Sequence, residues 1–158
     1  MPTLRLSDEV METARAILRA ERSRLAGLLG DHELLLVGGS SVPGALTKGD
    51  VDLHLRTPPA AFTETVETLR GVYRVALPHI WQPTLATFEA DAPLPTGVAV
   101  TPAGSEHDLR FTRTWQRLAT APALLRAYND LKLTARSDPE EYERRKSAFF
   151  DTLAAPAQ

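Results

Sequence analysis

The strongest constraint on the fold lies between residues 34 and 55. Leu34-Leu35-Leu36-Val37 is a short apolar run and reads as a buried strand. It ends in Gly38-Gly39-Ser40-Ser41, and a turn-rich loop continues to Gly49. Val51, Leu53 and Leu55 then alternate with Asp50, Asp52, His54 and Arg56, the period-two pattern of a second strand. Residues i and i+2 of a strand share a face, so Asp50 and Asp52 project together. They emerge beside a loop whose glycines allow a backbone to approach a ligand closely. Successive N–H groups of such a turn can cradle an anion, and the hydroxyls of Ser40 and Ser41 add donors.

Two adjacent carboxylates repel each other, and a shared cation removes that cost. Mg²⁺ takes oxygen ligands and is usually held by one or two carboxylates together with substrate phosphates. The stretch therefore suits metal-assisted phosphoryl chemistry, with Asp50 and Asp52 as metal ligands and catalytic residues. Gly38, Gly39, Ser40 and Ser41 would hold phosphates, and Lys48 and Lys132 would neutralise charge. Each feature also has a plainer explanation. Gly38-Gly39-Ser40 alone could be an ordinary turn, the acidic pair a solvated strand face, and Lys48 a surface lysine. Tyr128 with Lys132, and Tyr142 with Lys146, are i,i+4 pairs that could simply pack side by side.

The rest of the chain supplies a frame. Ser7 reads as the cap of a first helix that Gly30 closes, with Glu21 at the edge of its apolar stripe and its carboxylate in solvent. A second helix is expected around 60–70. Strands are expected at 72–77, 84–89 and 97–101, and helices at 106–119, 123–136 and 139–153, with fraying beyond Ala154. The order predicts an α+β two-layer domain, a mixed sheet of four or five strands packed with helices. A single domain spanning 1–158 is expected, with the sheet and loop in 33–101 and the C-terminal helices in 105–153. Lys plus Arg total 18 against 20 Asp plus Glu, so the net charge of -2 argues against nucleic acid as a partner. Without cysteine, disulfides and thiolate metal sites are excluded. No signal peptide or membrane span is legible, and the expected location is cytoplasmic.

Gly38-Gly39-Ser40 followed by Asp50-Val51-Asp52 resembles the signature of the polymerase-β-like nucleotidyltransferases. The longer match, over roughly residues 33 to 153, is to the GrpB family. Gly38, Ser41, Val42, Pro43, Gly44, Lys48 and Asp52 fall on its loop pattern. Pro122, Tyr128, Leu131, Lys132, Tyr142, Lys146 and Phe149 fall on its C-terminal helices. The resemblance implies a nucleotidyltransferase-like fold, an NTP as partner and transfer of a nucleoside monophosphate to an acceptor hydroxyl. Three departures stand out. Leu36 replaces a usual His, Gly97-Val98-Ala99-Val100 lacks the family's histidines, and Asp50 replaces an apolar residue. Catalytic members of the superfamily carry a third carboxylate on a neighbouring strand, for which Glu89 and Asp91 are the best candidates. The family's Phe-Arg-Asp segment falls near Thr114-Trp115-Gln116, with Arg113 or Arg117 as substitutes for its arginine. Two other readings stay open. One is a degenerate module that binds a nucleotide or coenzyme A without turnover, since some relatives are fused to dephospho-coenzyme A kinase. The other is an interaction protein, favoured if Phe149, Phe150 and Leu153 form an exposed stripe. The sequence specifies neither the acceptor nor the oligomeric state.

Overall fold

The apolar alternation of the second strand decides the architecture. The structure, a computed structural model, describes residues 3–135 and 137–155. The strands are β1 (Arg5–Leu6), β2 (Glu33–Val37), β3 (Leu46–Thr47), β4 (Val51–Thr57), β5 (Arg74–Val75), β6 (Ala86–Ala90) and β7 (Thr96–Pro102). The helices are α1 (Met11–Ala26), α2 (Phe62–Leu69), α3 (Glu106–Thr120), α4 (Pro122–Thr134) and α5 (Pro139–Ala154). Five strands form a mixed sheet in the order β2-β4-β7-β6-β5, and β1 pairs with β3 apart from it. Only β4 and β7 run parallel; the other neighbours are antiparallel. No helix among the described residues is long and apolar enough to cross a membrane.

Val51, Leu53 and Leu55 are buried with Ala14, Ile17 and Leu25 of α1, Val66 and Leu69 of α2, and Phe88, Val98 and Val100 of the neighbouring strands. The other face of β4 meets α3. His54 packs edge-on against Phe111, and Arg56 grips Asp108 through Nε at 2.6 Å and Nη2 at 2.9 Å. Helices therefore lie on both faces of the sheet, one layer more than the two expected. A second apolar cluster joins Val42 and Ala45 of the loop to Leu118, Tyr128 and Leu153. Phe149 and Phe150 pack against that cluster, so the stripe on α5 faces inward. This removes the exposed patch that would have favoured an interaction protein.

The N-terminal segment differs from expectation in an instructive way. Residues Ser7–Glu9 form a 3-10 turn, and the α-helix starts at Met11 and ends at Ala26, short of Gly30. The reason is that the cap-like side chains are used elsewhere. Ser7 Oγ donates to the Val42 carbonyl at 2.5 Å, and Asp8 Oδ1 accepts from the Gly44 N–H at 2.8 Å. Together with the β1–β3 pairing they fasten the chain start to the loop. Glu21 is buried and not in solvent; it accepts from Tyr73 Oη at 2.7 Å and from Arg24 Nε at 3.0 Å. The strand expected at 72–77 is reduced to Arg74–Val75. The expected helix end at Arg136 and the fraying of 156–158 lie outside the described residues, as do Met1 and Pro2.

The Arg56–Asp108 pair ties β4 to α3. Burial opposes charge on Asp108, but hydrogen bonds from Arg56 and the Gly104 N–H win and hold its pKa below the ordinary carboxylate value. A depressed carboxylate pKa contributes stability above the unfolded value, and that stability is lost as pH falls through the folded one. Asp108→Ala leaves Arg56 with only Glu33, at 3.0 Å on the surface side, and is expected to cost about 2 kcal/mol for the lost charge-assisted bonds. Urea unfolding at pH 7 measures the loss, and the gap to wild type should narrow as the medium is acidified below about pH 4.

Candidate functional site

Asp52 sits in the middle of a row that crosses the whole sheet. Its register partners are Val37 on β2 and Gly97 on β7, and the row continues through Glu89 on β6 to Arg74 on β5. Partners in register share a face, so these side chains, with Asp50, rise from one side. At Gly38 the backbone takes φ 76°, and a Cβ built there would lie 2.2 Å from Asp52 Oδ2. Only glycine fits, for both the conformation and the space. The turn is thus pressed directly against the carboxylate.

The serines that follow serve this turn. Ser40 is fully buried, and its hydroxyl donates to the Asp50 carbonyl at 2.5 Å. Ser41 Oγ donates to the Gly38 carbonyl at 2.7 Å. The structure gives the Ser40 hydroxyl a bracing role in place of the phosphate donation expected of it, because burial leaves it no access to a ligand. From the far side, Asn129 of α4 clamps the loop with two bonds. Its Nδ2 donates to the Gly44 carbonyl at 2.9 Å, and its Oδ1 accepts from the Leu46 N–H at 2.8 Å.

Two clefts meet at Asp50 and Asp52. The smaller, about 260 Å³, is bounded by Gly38, Gly39 and three lysines: Lys48, Lys132 and Lys146. Lys48 Nζ lies 3.9 Å from Asp50 Oδ2. Lys132 Nζ rests 5.5 Å from the centre of the Tyr128 ring, and Lys146 Nζ 5.7 Å from that of Tyr142. The Tyr-Lys pairs therefore do pack as stem beside ring, and their ammonium groups still reach the cleft. The larger cleft, about 850 Å³, runs from the same carboxylates over β7 and β6 toward Leu77 and Leu94.

The electrostatics follow from this crowding. Burial, with Asp50 adding like-charge repulsion, raises the Asp52 pKa from 3.8 to about 6, while Lys132, Lys48 and Lys146 pull it back. Burial and the Lys146 ammonium lower the pKa of Lys132. Further along β4, burial takes His54 down to about 4 despite Asp108, so it is neutral at pH 7. Its Nε2 lies 2.8 Å from Thr101 Oγ1, and its Nδ1 is buried without a partner among the described residues.

The donor set fits a divalent cation of a particular kind. Asp50 and Asp52 offer oxygens on one face, and among the described residues no three His, Asp or Glu converge as a cage. Two carboxylates suit a hard cation that completes its shell with phosphate and water. Glu89 and Asp91 do not complete the pair. Glu89 stands two strands from Asp52, roughly 10 Å across the sheet. It is also tied to Arg74 at 3.4 Å, and Asp91 is bonded to the same guanidinium. On the adjacent strand the corresponding positions are Gly97 and Ala99. Arg113 and Arg117 donate to the Ala154 and Leu153 carbonyls and so cap α5. Lys146 and Asn129 are the residues the sequence undervalued. The repeated Tyr-Lys spacing was a usable signal for Lys146. Asn129 carried none, because its partners lie more than eighty residues away.

The fold has counterparts among solved structures. The conserved protein GrpB from Enterococcus faecalis superposes with a TM-score of 0.69 over 90% of this chain and 90% of its own, at 18% identity. The fold is that of GrpB and the nucleotidyltransferases. Cid1 poly(U) polymerase with MgGTP bound matches with a TM-score of 0.59 at 16% identity, over 84% of this chain and 44% of its own. Its Mg 3'-dATP complex gives 0.60 at 15% identity, with 43% of its length covered. The chain thus spans less than half of Cid1. In sequence, a UPF0157 protein of Vibrio cholerae is 28% identical over 153 residues, 96% of this chain and 81% of the relative. No family model matches the chain.

Because Asp52 holds its proton more tightly folded than unfolded, stability falls as pH rises through the window between 3.8 and about 6. The full shift corresponds to about 3 kcal/mol at most. Asp52→Asn should therefore melt higher than wild type at pH 8 and equal to it near pH 4, as calorimetric scans at the two pH values will read. Carbon-detected NMR titration should find the Asp52 pKa lowered in Asp50→Asn and raised in Lys132→Met.

Proposed function

We propose that the chain is a metal-dependent nucleotidyltransferase that moves a nucleoside monophosphate from an NTP to an acceptor hydroxyl. The observation that carries this reading is the convergence of Lys48, Lys132 and Lys146 on Asp50 and Asp52 beside the Gly38 turn. The likeness to Cid1, whose structures hold MgGTP and Mg 3'-dATP, adds weight. The lysines would bind the triphosphate, with the N–H of Gly39 at the head of the turn as a further donor. Asp50 and Asp52 would hold the cation, and the Gly38 backbone would fix the Asp52 rotamer. A divalent cation bound there supplies charge neutralisation on the phosphates and lowers the pKa of an oxygen it binds. The acceptor oxygen forms a bond to the α-phosphorus, and the bond from that phosphorus to the oxygen bridging to the β-phosphorus breaks. Pyrophosphate departs beside the lysines, and the hydroxyl proton leaves to water.

Calorimetric titration of ATP, GTP, CTP and UTP, with and without Mg²⁺, tests the reading. Binding should require the metal, disappear in Asp52→Asn, and weaken by about tenfold or more in Lys132→Ala, one charge-assisted contact being worth about 1.5–3 kcal/mol. Failure of all four nucleotides to bind the wild type ends it. A second reading has a specific observation in its favour: Gly97 and Ala99 stand where a third carboxylate would flank Asp52. On that reading the site binds a nucleotide without turnover, and binding should persist in EDTA while no label passes from an α-labelled NTP.

A further inference from the structure

The reading above leaves the acceptor unnamed, and the larger cleft differs in chemistry from the smaller. The two share Gly38, Lys48, Asp50, Asp52 and Trp115 and then diverge. Away from that shared mouth, the larger cleft is floored by Gly97 and Ala99 of β7 and lined by Phe111 of α3, which continues the aromatic side that Trp115 begins at the mouth. Ala76, Leu77, Ala92 and Leu94 close its far end. Apart from Lys48 at the mouth, its one cationic side chain among the described residues is Arg74, which Glu89 and Asp91 already neutralise. A polynucleotide strand is held through its phosphates by unpaired lysines and arginines, and none line this channel. A volume of about 850 Å³ with mostly apolar walls is the size of a small-molecule pocket.

We infer that the larger cleft is the acceptor site, and that it takes a small uncharged hydroxyl compound with an apolar or aromatic body, not a nucleic acid end. This rests on the proposed transferase function. The carboxylates stand between the two clefts, so a hydroxyl entering from the Ala99 side meets the α-phosphorus opposite the departing pyrophosphate. In-line displacement needs that opposition. Phe111 and Trp115 present rings to a flat apolar body, and Glu89 and Asp91 repel anionic compounds at the rim. The chain thus differs in acceptor class from its poly(U) polymerase neighbour.

The test uses 2-(2-naphthyl)ethanol as the probe, followed by saturation-transfer NMR with the intact chain. Expected is saturable binding to wild type with a Kd below 1 mM, about the affinity a fragment of this size reaches. Two variants alter the cleft away from the carboxylates: Ala99→Phe fills its floor, and Leu77→Glu places a charge on the apolar rim. Leu77 is 54% exposed, so its replacement does not threaten folding. Both should weaken the probe at least fivefold and leave Mg·ATP binding within twofold of wild type. Lys132→Ala should do the reverse. The inference is overturned if the probe fails to bind wild type. It is overturned equally if Leu77→Glu leaves probe binding unchanged, or if Ala99→Phe, folded by circular dichroism, weakens Mg·ATP as much as Lys132→Ala does, for then the nucleotide base fills the cleft. Binding of a fifteen-residue oligouridylate more tightly than the probe, with an affinity that falls steeply in salt, overturns it as well. Absence of nucleotide binding in wild type, with the probe bound as expected, instead sinks the transferase reading on which the acceptor role depends.

Discussion

The two faces of strand β4 cannot be satisfied in the same way, and the fold is the resolution of that difference. Val51, Leu53 and Leu55 need an apolar cover, which α1, α2 and the neighbouring strands provide. Asp50, Asp52, His54 and Arg56 need partners, and one helix cannot serve all four. Arg56 takes a buried carboxylate from α3, and His54 gives up its charge under Phe111. Asp52 receives neither an ion pair within hydrogen-bonding distance nor full solvation. It is held against a glycine backbone with lysines at longer range. Along one strand the polar side chains pass from structural satisfaction at the Arg56 end to unmet demand at the Asp50 end. A carboxylate kept in that condition costs the fold something, and such a cost persists where a ligand repays it.

Much of this was legible in the residues themselves. The apolar run of β2, the alternation of β4 and the start of α5 at Pro139 all appear where their patterns put them, since each depends on neighbours in sequence. The shared face of Asp50 and Asp52 follows from strand geometry alone. What the sequence misassigned depends on distant partners. Ser7 looks like a helix cap, but the Val42 carbonyl competes for it and wins, while Asp8 is taken by the Gly44 N–H. Glu21 looks solvated until Tyr73 folds over it. Ser40 carries the right chemistry for a phosphate contact, yet the packing of Thr47 and Asp50 turns its hydroxyl inward. Glu89 lies in the right row and on the wrong strand, a distinction that only register reveals.

The match to GrpB and to Cid1 concerns the frame, and the departures from it concern the chemistry. What the superpositions share is the arrangement of sheet and helices. Gly97 and Ala99 flank the acidic strand β4 with small side chains, which opens space over the sheet beside the carboxylates. The small side chains that leave Asp52 without a carboxylate on β7 also leave room over the sheet for a second molecule. The missing carboxylate and the open space are two aspects of the same residues.

The loop from Gly38 to Gly49 is fastened at three places by segments far apart in the chain: Ser7 and Asp8 before it, Asp50 after it, and Asn129 on α4. Releasing it locally would require undoing the chain start and a C-terminal helix together. The loop therefore belongs to the same cooperative unit as the sheet, and its hydrogen-bonded amides at Gly44, Ala45 and Leu46 exchange with solvent when that unit opens. A ligand docking there would meet a backbone held in place beforehand, which lowers the ordering cost of binding.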